Sequence, residues 1–159
     1  LATRLLVLGF PQSLFDKGKS MPKRIIYQTE SGGVALVTPS MNCGLTVEEI
    51  ARKDVPAGAR YAILDTADVP TDFTFFNAWE VENSALNDGV GIGTQSWFIE
   101  QYEAEIATIN AEPIPARLPD EQQTVEEYDA VVAQWEAGKS ARIAQLNTQI
   151  ATQQAEMQA

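Results

Sequence analysis

The stretch TVEEYDAVVAQWEAGKSARIAQLNTQIATQQAEMQA, Thr124–Ala159, reads as one long helix bearing a single apolar stripe. Val125, Tyr128, Val132 and Trp135 follow at steps of three, four and three. Two steps of four then pass through Lys139 to Ile143, and the stripe continues through Leu146, Ile150, Gln153 and Met157. The extra step relaxes the left-handed twist locally, and Gly138 with Lys139 marks the weakest turn. Thr124 and Glu127 supply a capping box at its start. At about 1.5 Å per residue such a helix reaches ~50 Å, beyond the ~40 Å diameter of a compact domain of this length. A stripe so narrow on a helix so long has to be covered lengthwise, by its own chain or by a partner. The pattern therefore speaks of assembly and names no substrate.

Working back from this helix, Trp97 to about Asn110 forms a shorter one, capped by Ser96, with Phe98, Tyr102, Ile106 and Ile109 at spacings of four, four and three. Pro113, Pro115 and Pro119 forbid its continuation, so the two helices read as an αα-hairpin. Nearer the start, Ile25–Glu30 and Val34–Pro39 flank Ser31-Gly32-Gly33 as a β-hairpin. A second capping box, Thr46-Val47-Glu48-Glu49, opens a short helix to about Lys53 with Val47 and Ile50 inward. Ala59–Asp65 reads as a third strand. Phe73, Phe75, Phe76 and Trp79 crowd into seven residues; Phe75 and Trp79 are expected to be buried, with Phe73 or Phe76 lying against another element. Residues 80–94 are polar and glycine-rich, as in a loop or hinge. The expected fold is α+β. Residues 21–82 make a small hairpin-containing α/β head, 83–95 a glycine-rich linker, and 96–159 a C-terminal αα-hairpin or extended helical arm. Residues 1–20 read as an N-terminal extension ahead of Met21, with Leu5–Phe10 a strand or short helix if ordered.

Composition narrows the chemistry. Residues 1–60 carry eight Lys/Arg against five Asp/Glu, whereas residues 61–159 carry three against seventeen. That acidic second part argues against direct nucleic-acid or anionic-membrane binding and suits a basic protein surface. There is no histidine, which removes the commonest base near neutral pH and most zinc geometries. Cys43 is alone, so it has no internal disulfide partner, and the absence of histidine makes a buried or half-buried apolar role its expected one. Leu5-Leu6-Val7-Leu8 is too short to span a bilayer. No cofactor or metal is implied.

Several motifs fail on spacing. Gly-Lys-Ser at 18–20 and 138–140 lacks the earlier glycine of a phosphate loop, those positions being Ser13 and Ala133. Gly89, Gly91 and Gly93 follow no evident strand, which favours a flexible linker over a dinucleotide fingerprint. Asp65, Asp68 and Asp72 lack EF-hand spacing and read as turn caps. Glu100 with Glu103, and Asp120 with Glu121, read as solvated faces rather than acid/base pairs. Lys17, Lys19, Lys23 and Arg24 form a small basic cluster, best explained by contact with an acidic helix of a neighbouring copy.

Two stretches carry a resemblance. They are Pro22–Tyr27 with Gly33–Pro39, and Ala51–Gly58 continuing through Ile63-Leu64-Asp65 to Pro70-Thr71-Asp72, Thr74-Phe75 and Asn77-Ala78-Trp79-Glu80. Over residues 22–82 the chain resembles small proteins of tailed bacteriophages and prophages, a largely uncharacterised group sometimes encoded near tail genes. Arginines tend to stand in that group where this chain has Phe73 and Phe76, so the corresponding surface is expected to be more apolar here. The resemblance brings no catalytic residues. It implies a non-enzymatic virion or tail component or assembly factor, in the virion or host cytoplasm, whose partners are phage structural proteins or copies of itself. The alternatives are an acidic inhibitor of a host nucleic-acid-binding protein and an enzyme of unrecognised type. Candidate interface residues are Phe73, Phe76 and Trp79 on the head and Trp135, Ile143, Leu146 and Ile150 on the arm.

Overall fold

The computed structural model describes residues 23–40, 42–119 and 121–158. The expectations for residues 1–20, including Leu5–Phe10, Lys17, Lys19 and the first Gly-Lys-Ser, lie outside the described residues, as does Asp120. The described chain is α+β and divides into two units at Thr94/Gln95. In the first, β1 (Lys23–Gln28), β2 (Val34–Val37), β3 (Arg60–Asp65) and β4 (Gly89–Val90) make an antiparallel sheet of order β2-β1-β3-β4, and α1 is Val47–Asp54. In the second, α2 continues from Thr94 to Asn110 and α3 is Val125–Glu156. Among the described residues no helix is long and apolar enough to cross a membrane.

The β1–β2 hairpin forms because Gly32 adopts φ 87°, a left-handed turn conformation that favours glycine, while the Thr29 amide donates to Gly33 O at 2.8 Å. Register then decides which residues share a face. Ile25 pairs with Val37 and Ile63, and Ile26 with Leu36 and Ala62, so consecutive isoleucines serve opposite sides of the sheet. On one side Ile25, Tyr61, Ile50, Ala51 and Val55 form a buried cluster under α1. The capping box of α1 is complete: Thr46 N donates to Glu49 Oε2 at 2.7 Å and Glu49 N to Thr46 Oγ1 at 3.2 Å. On the other side Ile26, Val34 and Ala62 pack with Val69, Trp79, Val81 and Leu86. That cover is irregular chain, bent by 3-10 turns at Thr66–Asp68, Phe76–Ala78 and Asn83–Ala85.

The glycine-rich stretch expected to be a flexible linker is instead built into the head. β4 pairs Gly89 with Tyr61 and Val90 with Arg60. Beyond it Gly91 N donates to Ala59 O at 2.8 Å, Ile92 N to Arg52 O at 2.9 Å and Gly93 N to Val55 O at 3.2 Å. The last two bonds, with Thr94 Oγ1 to Lys53 O at 3.4 Å, satisfy carbonyls at and just beyond the end of α1. The glycines are required by proximity: a Cβ at Gly89 would overlap the Tyr61 phenol, and one at Gly91 would overlap the Val55 and Pro56 carbonyls. β4 is too short to pair all of β3, and the Asp88 carboxylate takes over by accepting from Ile63 N at 2.7 Å.

Gly91→Ala should lower head stability by roughly 2–4 kcal/mol, because backbone must move to admit the methyl group. A denaturant midpoint close to that of the unchanged protein would contradict the packing described. Burial, and after it the Asp88 carboxylate, push the Tyr61 phenol above its ordinary value of 10.0. The unfolded chain therefore ionises Tyr61 first, so its contribution is whole below pH 10.0 and declines as pH rises past that value. Thermal melts over this alkaline range should show a loss of stability that Tyr61→Phe reduces.

Candidate protein-interaction surface

The aromatic segment of the head is organised by three residues per turn. Phe76 N donates to Phe73 O at 3.1 Å and Trp79 N to Phe76 O at 3.0 Å, so Phe73, Phe76 and Trp79 fall on one side. Their rings meet: Phe76 lies edge-on to Trp79 at 4.9 Å, and Phe73 stacks on Trp79 at 5.5 Å. Trp79 is buried, as expected, and Phe76 packs half-buried against the same core. Phe75, expected to be buried, is not. It is 64% exposed, because an i, i+3 turn that gathers Phe73, Phe76 and Trp79 turns their neighbour outward. Phe73 is 51% exposed, its ring lying against Trp79. The described part of the head thus carries two largely exposed phenylalanines beside a buried tryptophan. Of the head candidates Phe73 retains the most free surface, and Phe75 joins it.

Asp72 Oδ1 accepts from Thr74 N at 2.9 Å, the turn-capping role expected of it, and these hydrogen bonds hold its carboxyl below the ordinary value. Asp65 pairs with Lys23 at 2.9 Å, while Arg24 donates to Lys23 O, so this half of the basic cluster is engaged inside the head. Cys43 is exposed rather than half-buried: it sits in the surface turn before α1, with Sγ donating to Ser40 O at 3.1 Å. Among the described residues no three His, Cys, Asp or Glu side chains gather as metal ligands would.

In the helical unit, Ser96 Oγ approaches Met157 Sδ at 3.9 Å and Lys139 Nζ donates to Asn110 O at 3.0 Å, so α2 and α3 run antiparallel. The proline-containing segment between them follows α3, with Arg142 pairing to Glu112 at 2.9 Å and Tyr128 Oη donating to Pro115 O at 3.1 Å. The second capping box is formed: Thr124 N donates to Glu127 Oε2 at 2.9 Å and Glu127 N to Thr124 Oγ1 at 3.2 Å. Burial along α3 follows the predicted stripe. Tyr128, Val132, Trp135, Lys139, Ile143, Ile150 and Gln153 are half-buried and Leu146 is buried. Only its ends depart, Val125 and Met157 being exposed where a helix finishes. Lys139 has a structural reason for its seam position: it caps the last carbonyl of α2 and lies 4.8 Å from the Trp135 ring centroid. The second Gly-Lys-Ser is therefore helix, with its lysine engaged. Trp135, Ile143, Leu146 and Ile150 spend part or most of their surface within the chain, while Ile114, Leu118 and Val131 remain exposed. The latter three lie off the periodic stripe, so periodicity did not point to them.

Comparisons with protein families, curated proteins and solved structures find no match.

Leu146→Ala should destabilise the helical unit by roughly 2–4 kcal/mol, and Val131→Ala by under ~1 kcal/mol. Helical circular dichroism in urea checks this; equal costs at the two positions would refute the assignment of the buried stripe.

Proposed function

We propose that the protein is a non-enzymatic phage virion or tail component, or an assembly factor, that works through protein–protein contacts. Its partners are phage structural proteins, and it acts in the virion or the host cytoplasm. The observation carrying this reading is the exposure of Phe73, whose ring stacks on Trp79, and of Phe75 two residues on. Aromatic side chains are enriched where partner proteins make contact, and two of them largely exposed on one short segment mark it as a candidate. The resemblance over residues 22–82 supplies the phage setting, and the capped arm supplies a long rigid element suited to assembly. Exposed ion pairs contribute only ~0–1 kcal/mol each, so apolar burial would dominate affinity.

The test is co-sedimentation with phage particles or tail intermediates from infected cells. The unchanged protein should accompany them, and the Phe73→Ser/Phe75→Ser double variant should do so roughly tenfold less while retaining its sheet and helix spectra. Recovery instead with a basic host protein, displaced by DNA, would replace this reading with that of an inhibitor.

A further inference from the structure

Each strand of the head sends its backbone groups alternately to one neighbour and to the other, so register decides which groups are left unpaired. On β3, Tyr61 O accepts from Asp88 N at 3.1 Å and Ile63 N donates to the Asp88 carboxylate at 2.7 Å, so Tyr61 and Ile63 face away from β1 while Ala62 and Leu64 face it. Their partners Ile26 and Arg24 therefore face β3, which leaves Ile25 and Tyr27 facing β2. These two pair with Val37 and Ala35. The hairpin turn gives the same phase, since Thr29 N donates to Gly33 O across it. Val34 and Leu36 thus direct their amides and carbonyls away from β1, and the same alternation carries on to Thr38. β2 ends the sheet, and among the described residues no backbone group bonds to this outer side.

The two edges of the sheet are treated differently. Beyond short β4, the Asp88 carboxylate occupies the Ile63 amide and leaves a charge there, which discourages another strand. Val34–Val37 carries no charge at all. Pro39 falls in the phase that faces β1, so its missing amide does not interrupt the outer row. Such an edge accepts a further strand.

We infer that the β2 edge pairs antiparallel with the β2 edge of a second copy, joining two heads into one continuous sheet. A two-fold axis at Leu36 sets Leu36 opposite the partner's Leu36 and Val34 opposite the partner's Thr38, so that each facing pair exchanges both of its hydrogen bonds. Self-complementarity selects this occupant: a strand run antiparallel to itself matches its own donors to its own acceptors, and every position opposed between Val34 and Thr38 is uncharged, so no like charges meet. Directly opposed residues share a face of the sheet. Leu36, which packs with the cluster of Ile26 and Trp79, therefore meets its counterpart on that side, and Val37 lies beside the partner's Ala35 on the α1 side. Each apolar face is continued by a face of its own kind. The pairing is independent of the function proposed above, which rests on Phe73 and Phe75.

Sedimentation of the full chain over a range of concentrations should show a monomer–dimer equilibrium. Thr38→Pro removes an outward amide and leaves the β1–β2 ladder alone; it should raise the dimer Kd roughly tenfold or more while retaining the urea midpoint of the head. Leu36→Lys opposes like charges across the axis and should weaken the dimer similarly, although it also loosens packing on the core. Amide exchange in the unchanged protein supplies a readout of the edge itself. The Leu36 amide should slow roughly tenfold between dilute and concentrated solution, whereas Ala35 and Val37, bonded to β1, stay protected in both. A monomer at every concentration, or a dimer that Thr38→Pro leaves intact, overturns the inference. So does a Leu36 amide already slow in the dilute monomer, since the occupant of the edge then belongs to the same chain.

Discussion

The described head is governed by the need to cover a sheet that is apolar on both faces. Ile25 and Ile26 point opposite ways, yet among the described residues one eight-residue helix belongs to this unit in full. Both faces have to be shielded for the strands to persist. α1 shields one, and the other falls to irregular chain, whose backbone polar groups need local partners. Three-residue turns answer that need because each closes its own hydrogen bond while delivering Val69, Trp79, Val81 and Leu86 to the sheet. The exposed phenylalanines follow from the same geometry, since a tight turn cannot bury consecutive side chains on one side.

The same constraint explains how the α1 side is closed. After Leu86 the chain returns to the sheet edge and runs against the residues following α1, near enough to overlap any Cβ at positions 89 and 91. Backbone-to-backbone proximity supplies the carbonyl partners that a short helix cannot find within itself. In the arm the problem differs. There the helices are long enough to bury a stripe, and the end of α2 is met by the Lys139 ammonium.

The arm was legible because a helical period sustained over about nine turns leaves few alternatives, and because Thr124 with Glu127 fixes where counting begins. The hairpin, α1 and β3 were legible for similar local reasons. The aromatic segment was misread at Phe75 because aromatic density alone does not say which ring faces in; that choice is made by a three-residue turn that covers a sheet face and not by Phe75 itself. Gly89 and Gly91 were misread as freedom when they mark crowding; what excludes a side chain there is Tyr61 and Val55, both distant in sequence, while Gly93 holds a left-handed φ of 79°. Of the candidate contact residues, Phe73 could be named from aromatic density alone, whereas the exposure of Phe75 depends on turn geometry.

The ammonium of Lys139 has a consequence for measurement. Sliding α3 along α2 by one turn, ~5.4 Å, would carry it away from the Asn110 carbonyl and part Arg142 from Glu112. Hydrophobic seams alone tolerate such slippage, since one aliphatic residue replaces another. Polar pegs along the hairpin favour one register, so that whatever engages its two ends meets them at one spacing.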